Sequence, residues 1–151
     1  MAIRGDLVWV SDSSISRIRQ FLIKHDGLFK PPLSERLNIE SYAKKLSTNA
    51  ENLFAVYEKA DVAHAAVYVN RPERFVYISS VCVAGAWQGM GIADLLMEAI
   101  FSLSEIWNCN RILLHVNRQH HRAIAFYEKH GFAKIGRRES DDSLEMECSL
   151  D

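Results

Sequence analysis

The chain has 151 residues, 48% hydrophobic and 25% charged, which excludes a disordered chain and suits a single domain over residues 1–151. Lys and Arg (18) nearly balance Asp and Glu (19), for a formal net charge of −1, so no non-specific nucleic-acid binder is expected. Three cysteines, Cys82, Cys109 and Cys148, form no Cys-x-x-Cys pair; they exclude a disulfide framework or zinc knuckle and read as buried thiols of a reducing compartment.

Residues 7–10 read as a short first strand. Ser11 to Ser14 offer helix caps, and Ile15, Ile18, Phe21 and Leu22 follow helical spacing to about His25. Asp26-Gly27 and Pro31-Pro32 break that helix. A second helix covers 39–46, with Ile39, Tyr42, Ala43 and Leu46 on one face. Alternation over 53–57 and 62–69 predicts two strands around a turn near Ala60-Asp61. After the turn at Arg71-Pro72-Glu73, the apolar segment 75–83 is the fourth strand. Residues 91–107 form a helix, 111–116 the fifth strand and 119–130 the next helix. Residues 133–138 and 144–148 close the chain as a hairpin. No run approaches the roughly eighteen apolar residues of a membrane span, and the first residues are too weakly apolar for a secretory leader. A cytoplasmic protein with no membrane partner is expected.

Val83 to Leu96, VAGAWQGMGIADLL, carries the most information. It leads from a strand through a Gly-rich turn into an amphipathic helix. Gln88, Gly91 and Ala93 fit the pattern Gln/Arg-x-x-Gly-x-Gly/Ala. Such a turn gathers backbone N–H groups at the positive end of a helix dipole, which suits a pyrophosphate. It has no Gly-Lys-Ser/Thr ending, so it is not a P-loop. Asp94 stands where the Gly-x-Gly-x-x-Gly dinucleotide fingerprint needs its third glycine. Taken alone, the segment fits an ordinary tight turn as well as a phosphate site.

A second strand-to-helix passage follows, HVNRQHHRAIAFYEKHGF from His115 to Phe132, with Gly131 where a helix C-cap needs a left-handed residue. In order and spacing the two passages together resemble the GCN5-related N-acetyltransferase (GNAT) family. The resemblance covers Glu51 to the C-terminus and is compatible with the first fifty residues. It implies an α/β fold: a mixed, mostly antiparallel sheet of about seven strands, flanked by about four helices and splayed between strands four and five. It also implies acetyl-CoA as cosubstrate. Gln88, Gly89, Met90, Gly91, Ile92 and Ala93 then match the turn that wraps the coenzyme's pyrophosphate. Val81, Cys82 and Val83 match the strand that pairs with the pantetheine arm. Tyr127 matches the tyrosine beside the sulfur, and Asn117 a polar residue after the fifth strand. His120 stands where many relatives carry Asn toward the pantetheine arm, and Gln88 where Arg is usual.

The implied function is acetyl transfer to a primary amine of a small molecule, amino sugar or peptide, by direct attack in a ternary complex. The alternatives are a non-catalytic acyl-CoA-binding module and an acyltransferase with an oxygen acceptor; a homodimer is compatible with any of these. A backbone N–H near Val83 would polarise the thioester carbonyl. Tyr127 is the candidate acid for the leaving thiolate. A phenol of pKa about 10 is a weaker acid than a thiol of about 8.5, so complete proton transfer is uphill by roughly 2 kcal/mol and a hydrogen bond has to suffice. For the base the residues leave a choice: Glu58 first, then His64 and His115, or a water chain. The fourth strand carries Tyr77, Ser79 and Ser80 and no carboxylate. Phe29 to Leu33 and the hairpin charges Arg137, Arg138, Glu139, Asp141 and Asp142 are expected to wall the acceptor site. His115, His120, His121 and His130 lack a carboxylate or cysteine at metal-ligand spacing, so no metal is expected.

Overall fold

A computed structural model describes residues 6–150; residues 1–5, where the segment read for a leader begins, lie outside the described residues, as does residue 151. Seven strands form one sheet: β1 (Val8–Ser11), β2 (Glu51–Tyr57), β3 (Ala60–Asn70), β4 (Phe75–Val83), β5 (Arg111–Asn117), β6 (Ala133–Arg138) and β7 (Ser143–Ser149). Their order is β1-β2-β3-β4-β5-β7-β6. Every neighbouring pair is antiparallel except β4–β5, which is parallel. The helices are α1 (Ile15–Lys24), α2 (Ile39–Asn49), α3 (Ile92–Ile106) and α4 (His121–Lys129). The expected mixed sheet and four helices are both present.

Each face of the sheet is apolar at alternate strand positions and takes one pair of helices. Ile18, Phe21 and Leu22 of α1 sit at i, i+3 and i+4 and bury with Ala43 and Leu46 of α2 against Phe54, Ala66 and Cys82. On the other face, Ile92, Leu96, Met97 and Ile100 of α3 and Ile124 of α4 cover Val76, Ile78, Ile112, Leu114 and Met146. The second helix begins where Asn38 accepts a hydrogen bond from the Ser41 amide at 2.9 Å. The first does not use a capping side chain from Ser14; Asp12 Oδ1 instead accepts from the Ser14 amide at 2.8 Å.

The β2–β3 turn falls at Glu58-Lys59, earlier than the Ala60-Asp61 position read from the sequence. Glu58 (φ 48°) and Lys59 (φ 67°) are both left-handed, as a two-residue hairpin turn requires. Asp61 belongs to β3, where its carboxylate holds the Arg17 guanidinium at 2.9 and 2.5 Å. Acidic character marks Asp61 as a turn residue in the sequence; in the fold it pairs with Val56 on β2 and its carboxylate meets α1.

His64 lies on β3 beneath α1 and has no exposed surface. Its Nε2 faces Asn52 Oδ1 at 3.0 Å, its ring packs on Phe54 at 4.7 Å, and Nδ1 has no partner. Burial pushes its pKa down to about 4. An unfolded imidazole titrates near 6.5, so the unfolded chain takes up a proton that the folded chain refuses. His64 therefore costs no stability above pH ~6.5 and progressively more as pH falls toward 4, to a total of about 3 kcal/mol. Urea midpoints at pH 7.5 and 4.5 are expected to differ less in His64→Gln than in the wild type. Equal differences would remove His64 from the acid limb of stability.

Candidate functional site

The strands β4 and β5 pair only from Phe75/Arg111 to Ile78/Leu114. Beyond that point β4 stays with β3 as far as Val83, and β5 stays with β7 as far as Asn117. The two halves of the sheet thus part, and the β5-facing backbone of residues 79–83 has no strand partner. A bulge lies at the start of the gap: Val67 faces Ile78 and Ala66 faces Ser80, which leaves Ser79 as the extra residue. The bulge turns Ser79 and Ser80 to the α1/α2 face, and Tyr42 Oη of α2 bonds Ser79 Oγ at 2.5 Å.

From Val83 the chain turns through a short 3-10 segment, Gly85–Trp87, into α3. Gly89 (φ 80°) and Gly91 (φ 82°) are left-handed, where any side chain would strain the backbone. Gly91 is the N-cap of α3, so the amides of Ile92, Ala93 and Asp94 have no acceptor within the helix. Free N–H groups at the positive end of a helix dipole have the chemistry that suits an anion. Asp94, in this first turn, is drawn away by Lys129 Nζ at 2.8 Å and His130 Nε2 at 2.7 Å. These partners hold its carboxyl below the usual range and neutralise the acid nearest the turn. Gln88 does not reach outward; its Nε2 donates to the Val83 carbonyl at 3.1 Å and braces the turn on the end of β4.

Tyr127 packs on the α3/α4 face, edge-on to Phe126 and Phe132 at 5.4 and 5.6 Å, in the same cluster as Val81 and Val83. Burial pushes its phenol up to about 12, so the proton stays on oxygen at neutral pH. Its hydroxyl makes no hydrogen bond among the described residues, which leaves the proton free for a partner.

The opposite face of the gap is polar and connected. Tyr77, just before the gap, bonds His115 Nδ1 through its hydroxyl at 2.8 Å. His115 Nε2 meets Glu145 Oε2 at 3.1 Å, from the residue directly opposite on β7. Tyr68, opposite Tyr77 on β3, adds a buried hydroxyl with no partner. Burial raises the Tyr77 phenol, and Arg138, Asp141, Glu145 and Arg36 all act on it electrostatically. Two faces of one gap therefore hold different chemistry: a free phenol on one and a hydrogen-bonded phenol–imidazole–carboxylate row on the other.

The Acetyltransferase (GNAT) family pattern matches residues 19–132, three quarters of the chain and all of the gap-forming elements of β4, β5, α3 and α4. The chain belongs to the GNAT acetyltransferase family. An uncharacterized N-acetyltransferase of Mycobacterium bovis is 26% identical over 102 residues, a match that spans 68% of this chain and 65% of that relative's length. Among solved structures, a GNAT acetyltransferase of Staphylococcus aureus superposes with TM-score 0.80 at 12% identity, over 97% of this chain and 100% of that one. The ribosomal-protein-S18-alanine N-acetyltransferase of Escherichia coli gives 0.77 at 17% identity, over 97% and 95%. A GNAT acetyltransferase of Elizabethkingia anophelis, solved with acetyl-CoA bound, gives 0.76 at 12% identity, over 97% and 99%. At these identities the superpositions establish the GNAT fold.

Within this GNAT fold, Val81, Val83 and Tyr127 all pack against the hydrophobic cluster on the α3/α4 face. Cys82 points to the other face, buried, its thiol raised to about 12 by burial. Asn117 and His120 line a cleft of about 610 Å³ at the end of β5, together with Lys30, Pro31, Gln119, His121 and Arg122. Part of the loop read as an acceptor wall thus reaches across to the start of α4. Asn117 Oδ1 accepts from the Gln119 amide at 2.8 Å, and His120 is held below its usual pKa by burial, with Lys30 and Arg122 adding to the effect. Glu58 is brought to none of these groups: it is exposed in the β2–β3 turn, and β3 stands between it and the gap. The row around His115 contains two residues that sequence reasoning did not select for chemistry, Tyr77 and Glu145. Strand alternation puts all three on one face; their meeting depends on β7 inserting between β5 and β6.

Proposed function

We propose that this protein is an acetyl-CoA-dependent N-acetyltransferase that moves an acetyl group to a primary amine of a small molecule, amino sugar or peptide, by direct attack in a ternary complex. The observation that carries the reading is the gap itself. It has the free first-turn amides of α3 beyond one end and unpaired strand backbone along one wall, with a phenol that has no hydrogen-bond partner among the described residues on one face of the sheet and a polar row on the other. The residues fit acetyl-CoA: first-turn amides and left-handed glycines for a pyrophosphate, and extended β4 backbone for an amide-bearing arm. When bound, the coenzyme supplies the activated acyl group. The unpaired backbone of β4, open from residue 79, polarises its carbonyl, Tyr127 gives a hydrogen bond to the departing sulfur, and the α1/α2 side admits the acceptor. Gripping the coenzyme along its length holds the reacting carbon where an amine can meet it.

Thiol release from acetyl-CoA against amino sugars, polyamines, amino acids and short peptides tests this. A subset of amines is expected to support release, with N-acetylated product by mass spectrometry. Tight acetyl-CoA binding with no release on any amine would overturn the enzyme reading in favour of a binding module. Release only with alcohol acceptors would overturn the amine.

A further inference from the structure

Amine attack on a thioester needs a place for the amine's proton, on the acceptor side of the gap. Tyr127 cannot take it, because it faces the sulfur side and already holds its own proton. His64 is sealed beneath α1, and Glu58 is separated from the gap by β3. Tyr77, His115 and Glu145 do lie there, in one hydrogen-bonded row of 2.8 and 3.1 Å.

We propose that Tyr77, His115 and Glu145 form the proton path of the transferase, with Tyr77 touching the acceptor amine. This rests on the acetyltransferase reading above. Glu145 accepts from His115 Nε2–H and so selects the tautomer whose Nδ1 is a bare acceptor. The Tyr77 hydroxyl then donates to Nδ1, and its oxygen keeps a lone pair that can accept from the amine. As the amine nitrogen bonds to the acyl carbon, the carbon–sulfur bond breaks and the thiolate leaves under the Tyr127 hydrogen bond. The amine N–H proton passes to the Tyr77 oxygen while the phenol proton passes to Nδ1. The path ends with a neutral phenol and an imidazolium held by Glu145. A relay suits Tyr77 because burial opposes a lasting phenolate. The imidazolium needs an adjacent carboxylate for the same reason a serine-protease histidine does.

The charges around the row favour this order. Glu145 is the carboxylate in direct contact with the ring. Asp141 is occupied by Arg138 and Ser143 at 2.6 and 2.7 Å. Arg36, just after the 3-10 segment Leu33–Glu35, and Arg138 act on Tyr77 in the direction that eases its ionisation, while Asp141 and Glu145 oppose it. The aromatic neighbours are Tyr42, bound to Ser79, and Tyr68.

Nitrogen-15 NMR of histidine-labelled protein reads the tautomer without any acceptor. The Nε2–H form is expected for neutral His115 in the wild type. An Nδ1–H form would overturn the relay even if the enzyme is active. In the thiol-release assay, Tyr77→Phe is expected to lower kcat about 100-fold or more, with acetyl-CoA affinity by calorimetry and Tm unchanged. His115→Gln is expected to flatten the acid limb of the kcat/KM profile, and Glu145→Gln to lower kcat. A retained limb in His115→Gln, or its loss in Glu58→Gln instead, would overturn the proposal. An absence of thiol release in the wild type would be a failure of the transferase reading, and the NMR tautomer would still decide whether the row has this hydrogen-bond order.

Discussion

Replacing Tyr127 by Phe is expected to lower turnover about ten- to a thousandfold, while acetyl-CoA affinity changes little. The substitution removes one oxygen from a ring packed between Phe126 and Phe132, so the cluster keeps its shape. No hydrogen bond within the described residues depends on that oxygen, so the fold has little to lose. The hydroxyl's contribution is confined to the departing sulfur, whose negative charge grows as the bond to carbon breaks. Steady-state kinetics with saturating acetyl-CoA measure it. Wild-type turnover in Tyr127→Phe would assign the ring to packing alone. An equal rise in KM for acetyl-CoA at unchanged kcat would assign the hydroxyl to ground-state binding.

Gly91→Glu is expected to abolish acetyl-CoA binding as read by calorimetry. A side chain grown from Gly91 meets no protein atom within 4 Å of its Cβ, so the protein itself has room for it. The penalties are elsewhere. The residue has φ 82°, which costs an L-amino acid about 1–2 kcal/mol. The new carboxylate also stands at the first-turn amides of α3, where it competes with the pyrophosphate for the same donors and repels its charge. Gly91→Ala separates the two effects: it carries the backbone penalty without the charge, and is expected to fold, lose some stability and retain measurable binding. Unchanged affinity in a folded Gly91→Glu protein would remove the turn from the binding site.

The sequence by itself determined the parts of this protein that depend on neighbours along the chain. Helical spacing at Ile15, Ile18, Phe21 and Leu22 and at Ile39, Tyr42, Ala43 and Leu46 marked α1 and α2, because a period of 3.6 residues puts those side chains on one buried stripe. The glycines at 89 and 91 marked a left-handed turn before a helix, since their backbone angles are local. Gly131, at φ 94°, ended α4 for the same reason. Family resemblance in the two strand-to-helix passages then supplied the mixed sheet and its splay between strands four and five.

Tertiary structure decided which distant groups meet. His64 and His115 look alike in the sequence, each an imidazole on an alternating strand. One lies under Phe21 and Phe54 with its pKa pushed down to about 4, and the other stands at the open end of β5. Alternation sets a side chain's face and is silent about what covers that face. Glu58 follows an apolar strand and reads as the end of an acceptor cleft, but the hairpin places it across β3 from the gap. Glu145 reads as an ordinary charge of a C-terminal hairpin. It reaches His115, 30 residues away, because β7 enters the sheet beside β5 in a register that sets the two directly opposite. That register is chosen by burying Leu144, Met146 and Cys148 on the other face, and a one-residue slip would exchange the faces. The hydrophobic side of β7 thus holds the carboxylate against the imidazole on its polar side.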